Sequence, residues 1–182
     1  MSPISLDEMN SIKLMNRIDT KYIASVGLLT RLLTEAIADY RVQDIDGVRI
    51  ATYDTLYFDT PMCDMYLRHH DRQLRRQKIR TRCYVDSNLW FLEVKNKTNT
   101  GRTKKKRMKV DDMQLAQPSK ADFLQQHLHY ELTTLRPAMR NRFSRITLVN
   151  EAKTERLTID TGLQFYNLVS GRQANMSDVV II

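Results

Sequence analysis

The chain is poor in the residues that would tie its function to cysteine chemistry or to glycine loops. Its two cysteines, Cys63 and Cys83, sit in no Cys-x-x-Cys or zinc-ligand spacing, which argues against a disulfide scaffold or a structural zinc site. Its five glycines form no Walker-type phosphate loop, which argues against a P-loop nucleotidase. No segment approaches the roughly 20 apolar residues of a membrane span, and residues 1–8 lack the basic and apolar regions of a secretory signal. The expectation is a cytoplasmic protein with reduced cysteines and no membrane span. There is no internal repeat, low-complexity stretch or interdomain linker, and 182 residues at 42% hydrophobic content suffice for one well-buried core. A single domain over residues 1–182 is expected.

What the chain has is positive charge, with 29 Lys and Arg against 21 Asp and Glu, a net charge of +8. Such a balance points to a polyanionic partner: nucleic acid, an acidic membrane surface or phosphate chains. The excess is local. Residues 68–109 hold fifteen Lys and Arg against three acids, Asp71, Asp86 and Glu93, while the rest of the chain is net acidic. A run of like charge is commonly a solvated face or a disordered arm. The spacing inside this run argues otherwise.

The pattern predicts a helix over residues 6–15, where Ser5 and Glu8 have capping-box spacing, and a strand over 17–24. A second helix over 26–38 carries Leu29, Leu32, Leu33, Ala36 and Ile37 on one stripe. Strands follow at 48–58, 77–85, 89–97 and 102–110, with hairpin turns at residues 86–88 and 100–101. A helix capped by Ser119 and carrying Phe123, Leu124, Leu128 and Leu132 comes next, then strands at 141–149, 155–160 and 179–182. The class is α+β with an antiparallel meander.

Alternate residues of a strand point to opposite faces. Lys78, Arg80, Arg82 and Tyr84 therefore share one face, with Ile79, Thr81, Cys83 and Val85 on the other. Glu93, Lys95 and Lys97 oppose Trp90, Leu92 and Val94. Arg156, Thr158 and Asp160 alternate with Leu157 and Ile159, Arg145 opposes Ile146 and Leu148, and Arg17, Asp19 and Lys21 alternate with Ile18 and Thr20. A one-sided sheet with its polar face in water would mix charge signs. Here cations dominate that face at a spacing of about 6–7 Å along each strand, and such a face repels itself unless an anion fills it. Closing the sheet into a barrel would gather the cations around one axis, with helices packed outside. Arg suits phosphate through its planar donor fork, and Lys through its compact charge. Nucleic acid is disfavoured because stacking aromatics are not interleaved with the basic residues.

The segments Arg17-Ile18-Asp19-Thr20-Lys21-Tyr22, Tyr57-Phe58-Asp59-Thr60-Pro61 and Met65-Tyr66-Leu67-Arg68-His69-His70 begin an ordered set of motifs. Lys78-Ile79-Arg80-Thr81-Arg82-Cys83-Tyr84, Phe91-Leu92-Glu93-Val94-Lys95-Asn96-Lys97 and Gly101-Arg102-Thr103-Lys104-Lys105-Lys106-Arg107 continue it. Phe143-Ser144-Arg145 and Arg156-Leu157-Thr158-Ile159-Asp160 close it. In this order they resemble the VTC domain, the polyphosphate polymerase branch of the triphosphate tunnel metalloenzymes. The resemblance implies an antiparallel β-barrel, or tunnel, that transfers the γ-phosphate of ATP to a growing polyphosphate chain with a divalent metal, Mn or Mg.

By motif position the resemblance assigns phosphate contacts to Lys21 and to Arg80, Arg82, Lys95, Lys105, Arg145 and Arg156, the last six as the catalytic set; Lys78, Lys97 and Arg107 are further phosphate-binding candidates. It also implies a later strand carrying Glu-x-Lys, whose Glu holds metal, so the barrel is expected to be incomplete at the C-terminus, lacking a strand and a helix. An open sheet edge of that kind would favour homo-oligomers. Among inward acids, Glu93 and Asp160 are the metal-ligand candidates, with pairing to neighbouring cations as their other reading. Two alternatives to a polymerase remain: a non-catalytic polyphosphate sensor and a metal-dependent triphosphatase. The Arg17-x-Asp19-x-Lys21 run has one acid where tunnel hydrolases carry Glu-x-Glu-x-Lys, which favours polymerase or sensor.

Overall fold

The computed structural model describes residues 1–10, 19–115 and 117–182. Ile12 and Met15 of the first expected helix, and Arg17 and Ile18 of the first expected strand, lie outside the described residues. In chain order the elements are β1 (Pro3–Ile4), α1 (Leu6–Asn10), β2 (Ile23–Ser25), α2 (Leu29–Glu35), β3 (Tyr40–Gln43) and β4 (Ala51–Asp59). Then come α3 (Asp64–His70), β5 (Arg76–Tyr84), β6 (Leu89–Lys97), β7 (Thr103–Val110) and α4 (Pro118–His127). The chain ends with β8 (Arg136–Asn150), β9 (Arg156–Asn167), β10 (Gln173–Met176) and β11 (Val179–Ile181). Hydrogen bonding orders the strands β2-β11-β9-β8-β4-β5-β6-β7, with β3 on β8, β1 on β3 and β10 on β9. The expected α+β class with an antiparallel meander holds, and among the described residues the strand order runs from β2 to β7 without closing.

The chain divides into two compact units. One comprises Met1–Tyr53, Arg142–Gln164 and Ala174–Ile182. Here Ser5 and Glu8 form the expected capping box: the Ser5 N–H donates to Glu8 Oε2 (2.9 Å) and the Glu8 N–H to Ser5 Oγ (3.2 Å). The core is Val42, Ile146, Leu148, Ile159 and Val180, covered by Leu29, Leu32, Leu33 and Ala36 of the α2 region. The α2 stripe is as predicted except for Ile37, which is exposed because the helix ends at Glu35. β3, which the sequence pattern does not single out, pairs antiparallel with β8 and parallel with β1.

The other unit comprises Asp54–Asn141 and Phe165–Gln173. Its core is Phe58, Met65, Ile79, Leu92, Val94, Val110, Leu115 and Leu124, the apolar face predicted for β5 and β6 plus α4. Fully burying a Leu or Ile side chain is worth about 1.5–3 kcal/mol, so this face fixes which way the alternate residues must point. β5 and β6 pair antiparallel from Arg76↔Lys97 to Tyr84↔Leu89, turning at Asn88, whose φ of 48° is left-handed. α4 starts at Pro118, with Gln117 rather than Ser119 in the N-cap position. Proline fits there because its fixed φ suits the first turn and its missing N–H has no helical partner.

After β4 comes α3, which the sequence pattern does not single out. Asp59 organises it: its Oδ1 accepts the N–H groups of Thr60 (2.8 Å) and Met65 (2.9 Å), and its Oδ2 that of Tyr66 (2.9 Å). The Met65 and Tyr66 groups are unsatisfied donors of a helix start. Met65 anchors the helix in the core, while Tyr66 and His70, four residues apart, stack on its outer side at 5.9 Å.

Candidate functional site

Register places the basic residues in rows across β5, β6 and β7. Lys78 lies opposite Lys95, which lies opposite Lys105; Arg80 opposes Glu93, which opposes Arg107; Arg82 opposes Phe91, which opposes Lys109. Directly opposed residues share a sheet face, so Lys78, Arg80, Arg82, Lys95, Lys105 and Arg107 are brought together on the side away from the Ile79, Leu92 and Val94 core. Arg76 and Lys97 form a further row of the same face. Lys104 and Lys106 pair with Asn96 and Val94 and therefore belong to the opposite face.

Glu93 is the centre of this face and is fully buried. Its Oε2 accepts from Arg80 Nε (2.6 Å) and Nη2 (2.6 Å), and its Oε1 from Lys105 Nζ. Arg80 also donates from Nη1 to Tyr57 Oη (3.1 Å), and Arg82 donates from Nε to Thr55 Oγ1 (3.2 Å). Thr55 and Tyr57 thus present the matching face of β4, a role the sequence reading missed although their two-residue spacing carries the signal. Lys95 is half-buried and has no hydrogen-bond or ion-pair partner among the described residues. Lys78 Nζ lies 3.2 Å from His69 Nε2, and the Arg107 guanidinium covers the Phe91 ring at 4.9 Å.

The electrostatics follow from one carboxylate serving several cations. Burial pushes the Glu93 carboxyl up, but Arg80, Lys105 and Arg82 outweigh it and hold it at about 2. Burial, then Arg80 and Lys105, push Lys95 down to about 8. Burial and the neighbouring guanidiniums also lower Lys105 against the pull of Glu93, and burial and Arg80 lower Arg82. This is a face that an added anion would relieve.

In the other unit, Arg145 makes a bidentate pair with Asp160, Nε to Oδ1 at 2.5 Å and Nη2 to Oδ2 at 2.7 Å. Its guanidinium also lies over Tyr53 (5.1 Å) and Phe143 (5.3 Å), which stack on each other at 5.2 Å. Arg156 and Lys21 are exposed. The sequence reading also missed the bidentate Arg140–Asp54 pair (2.9 and 2.6 Å), since neither residue falls in a motif.

A divalent ion finds no ready ligand set here. Both oxygens of Glu93 and both oxygens of Asp160 are held by cationic side chains, and among the described residues no group of three His, Cys, Asp or Glu could hold a metal. The pairing alternative for these two acids is the one observed, and the described residues do not fit the metal.

The sequence profile of the VTC domain matches residues 16–179. The chain belongs to the VTC domain family. No curated protein matches it. Among solved structures, this VTC domain is similar to an adenylate cyclase candidate from Bacillus halodurans at 12% identity and a TM-score of 0.50, over 89% of this chain and 76% of that one. It is similar to a conserved hypothetical protein from Pyrococcus furiosus at 12% identity and a TM-score of 0.48, over 88% and 74% of the two chains. An adenylate cyclase candidate from Vibrio parahaemolyticus shows 11% identity and a TM-score of 0.49, over 90% and 74%. At such identity the Bacillus likeness speaks to the fold alone: an α+β, antiparallel architecture. No helix of the described residues is long and apolar enough to cross a membrane.

Proposed function

We propose that this VTC domain binds ATP and polyphosphate on the Arg80, Arg82, Lys95 and Lys105 face and transfers the γ-phosphoryl group of ATP to the polymer end. The observation that carries the reading is that these four cations share one face with a single carboxylate, Glu93, which pairs directly with Arg80 and Lys105. A terminal phosphate oxygen of the polymer attacks the γ-phosphorus, the bond from that phosphorus to the β–γ bridging oxygen breaks, and ADP leaves with the electron pair. The reaction needs charge neutralisation and in-line alignment more than a covalent nucleophile. Arg80 and Arg82 supply forked donors to phosphate oxygens, while Lys95 and Lys105 supply point charges. Lys78, Lys97 and Arg107 extend the same face for further phosphates. Lys21, Arg145 and Arg156 are assigned phosphate contacts by motif position. No step is routed through a metal, because the described acids are already paired.

The test is to incubate the chain with ATP and either Mn or Mg and to assay polyphosphate and inorganic phosphate together. Polymer formation is the expected result. Release of inorganic phosphate alone would assign a triphosphatase. Tight tripolyphosphate binding without turnover would assign a polyphosphate sensor, the reading favoured by the paired state of Glu93 and Asp160. On any of these readings, Arg80→Ala with Arg82→Ala should weaken tripolyphosphate binding sharply at all salt concentrations. Lys104→Ala with Lys106→Ala should cost affinity only at low salt, because exposed charges are screened. Equal losses in calorimetric titration would overturn the face assignment.

A further inference from the structure

We propose that the corner built on α3, residues 62–76, docks on an anionic lipid surface. The corner shows water four apolar side chains: Met62 is 76% exposed, Tyr66 61%, Leu67 46% and Leu74 58%. Among them stand Arg68, Arg72 and Arg75, all exposed. Residues 62–76 also hold two acids, Asp64, which accepts the Thr60 hydroxyl hydrogen bond at 2.5 Å, and Asp71, against four arginines, so the corner stays net positive.

The local fold holds these groups outward. Met65 is tied into the core and Asp59 grips the backbone at Met65 and Tyr66, so the opposite side of α3, with Tyr66 and Leu67, must face away from the protein. Beyond the helix the chain doubles back: the Asp71 N–H donates to the Leu67 carbonyl (2.8 Å), Arg72 to His69 (3.2 Å) and Gln73 to Arg68 (3.0 Å). Arg76 Nη1 fastens the return to the Gln73 carbonyl at 2.7 Å. Arg72 sits at φ +56°, a left-handed conformation that a non-glycine residue adopts only when its surroundings hold it there. The result is a fixed knuckle carrying Leu74, not a floppy arm.

The apolar side chains decide the partner. A polyphosphate chain or a nucleic-acid backbone would use the arginines but would gain nothing from Met62, Leu67 and Leu74. A lipid headgroup region uses both: guanidiniums meet phosphate and carboxylate groups, and apolar tips and the amphipathic Tyr66 ring enter the boundary of the acyl layer. Each cation near an anionic leaflet contributes about a fivefold gain in partitioning, so three of them convert weak apolar insertion into useful peripheral binding. The corner adjoins the cationic face, with Lys78 Nζ at 3.2 Å from His69 Nε2, but none of the side chains offered to the lipid belongs to that face, and the proposal does not depend on how that face is read.

The test is co-sedimentation of the full chain with vesicles of pure phosphatidylcholine and of phosphatidylcholine with 30% phosphatidylserine, each with and without saturating tripolyphosphate. Binding to the anionic vesicles alone, unchanged by tripolyphosphate, is expected. Tyr66→Ser with Leu74→Ser should reduce it at least tenfold. Arg72→Asn with Arg75→Gln should reduce it about 25-fold, asparagine being chosen because it tolerates the left-handed backbone. Unchanged circular dichroism and unfolding midpoints confirm that these exposed substitutions leave the fold intact. The proposal is overturned by absence of binding to anionic vesicles, by binding abolished with tripolyphosphate, or by binding insensitive to the Tyr66 and Leu74 pair, which would assign the corner to a polyanion instead.

Discussion

Lys95 gives the sharpest handle on the cationic face. Its amine is lowered from 10.5 to about 8 by burial and by Arg80 and Lys105, so near neutral pH part of the population is uncharged. A bound phosphate chain supplies the missing counter-charge and returns the amine towards its ordinary value. Binding must then take up protons. From this group the uptake is about 0.1 proton at pH 7, about 0.5 at pH 8 and about 0.9 at pH 9. Affinity is insensitive to Lys95 well below pH 8 and falls by about tenfold per unit above it, until the bound-state value is passed. Titration calorimetry with tripolyphosphate, run at one pH in two buffers of different protonation enthalpy, reads the uptake directly. Lys95→Arg is the reference, because arginine keeps its charge throughout this range; it should retain affinity, lose the uptake assigned to Lys95, and leave only the contribution of the ligand. The same depression makes the unliganded wild type gain stability as pH climbs from about 8 towards 10.5, where the unfolded chain binds more protons. Equal proton uptake by wild type and Lys95→Arg at pH 8 would refute the reasoning.

Glu93→Gln removes the shared carboxylate and leaves buried cations without their partner, so it should destabilise the fold by about 3–5 kcal/mol in denaturant unfolding, with tripolyphosphate restoring part of the loss. In wild type the ionic contribution of Glu93 is fully present above its ordinary value of 4.5 and is lost as pH falls towards about 2; an acid titration of stability should show this loss, and Glu93→Gln should lack it. Leu124→Ala, at a fully buried site of the α4-side core, should cost about 2–5 kcal/mol by equilibrium unfolding and should leave tripolyphosphate affinity at temperatures well below the midpoint unchanged.

The cationic face was legible in the sequence because strand periodicity is strict and both faces are constrained. Ile79, Leu92 and Val94 had to be buried, and Lys78, Arg80, Arg82 and Lys95 then had no choice of side. The observed bounds of β5 and β6 match the pattern to within a residue. α3 was not legible, because its start depends on Asp59 reaching donors six and seven residues ahead and its hold on the core rests on Met65 alone. The Arg140–Asp54 pair depends on which residues of strands far apart in the chain come together, which spacing within one strand cannot reveal. Lys120 is a further case: a charged residue in the first turn of a helix reads as exposed, yet it is buried, donating to Asp112 Oδ1 at 2.6 Å and to the backbone carbonyl of Gln114.

Glu93 also sets a threshold for whatever enters the face. Arg80 and Lys105 already hold an internal anion, so an incoming ligand must outbid a carboxylate that is covalently tethered at high effective concentration. A small anion that touches one or two cations replaces one contact with another and gains little. An extended anion reaches Arg82 and Lys95 as well, and each further phosphate is met by charge that Glu93 does not neutralise. One buried acid thus makes the face respond to the length of its ligand more steeply than a bare row of cations could.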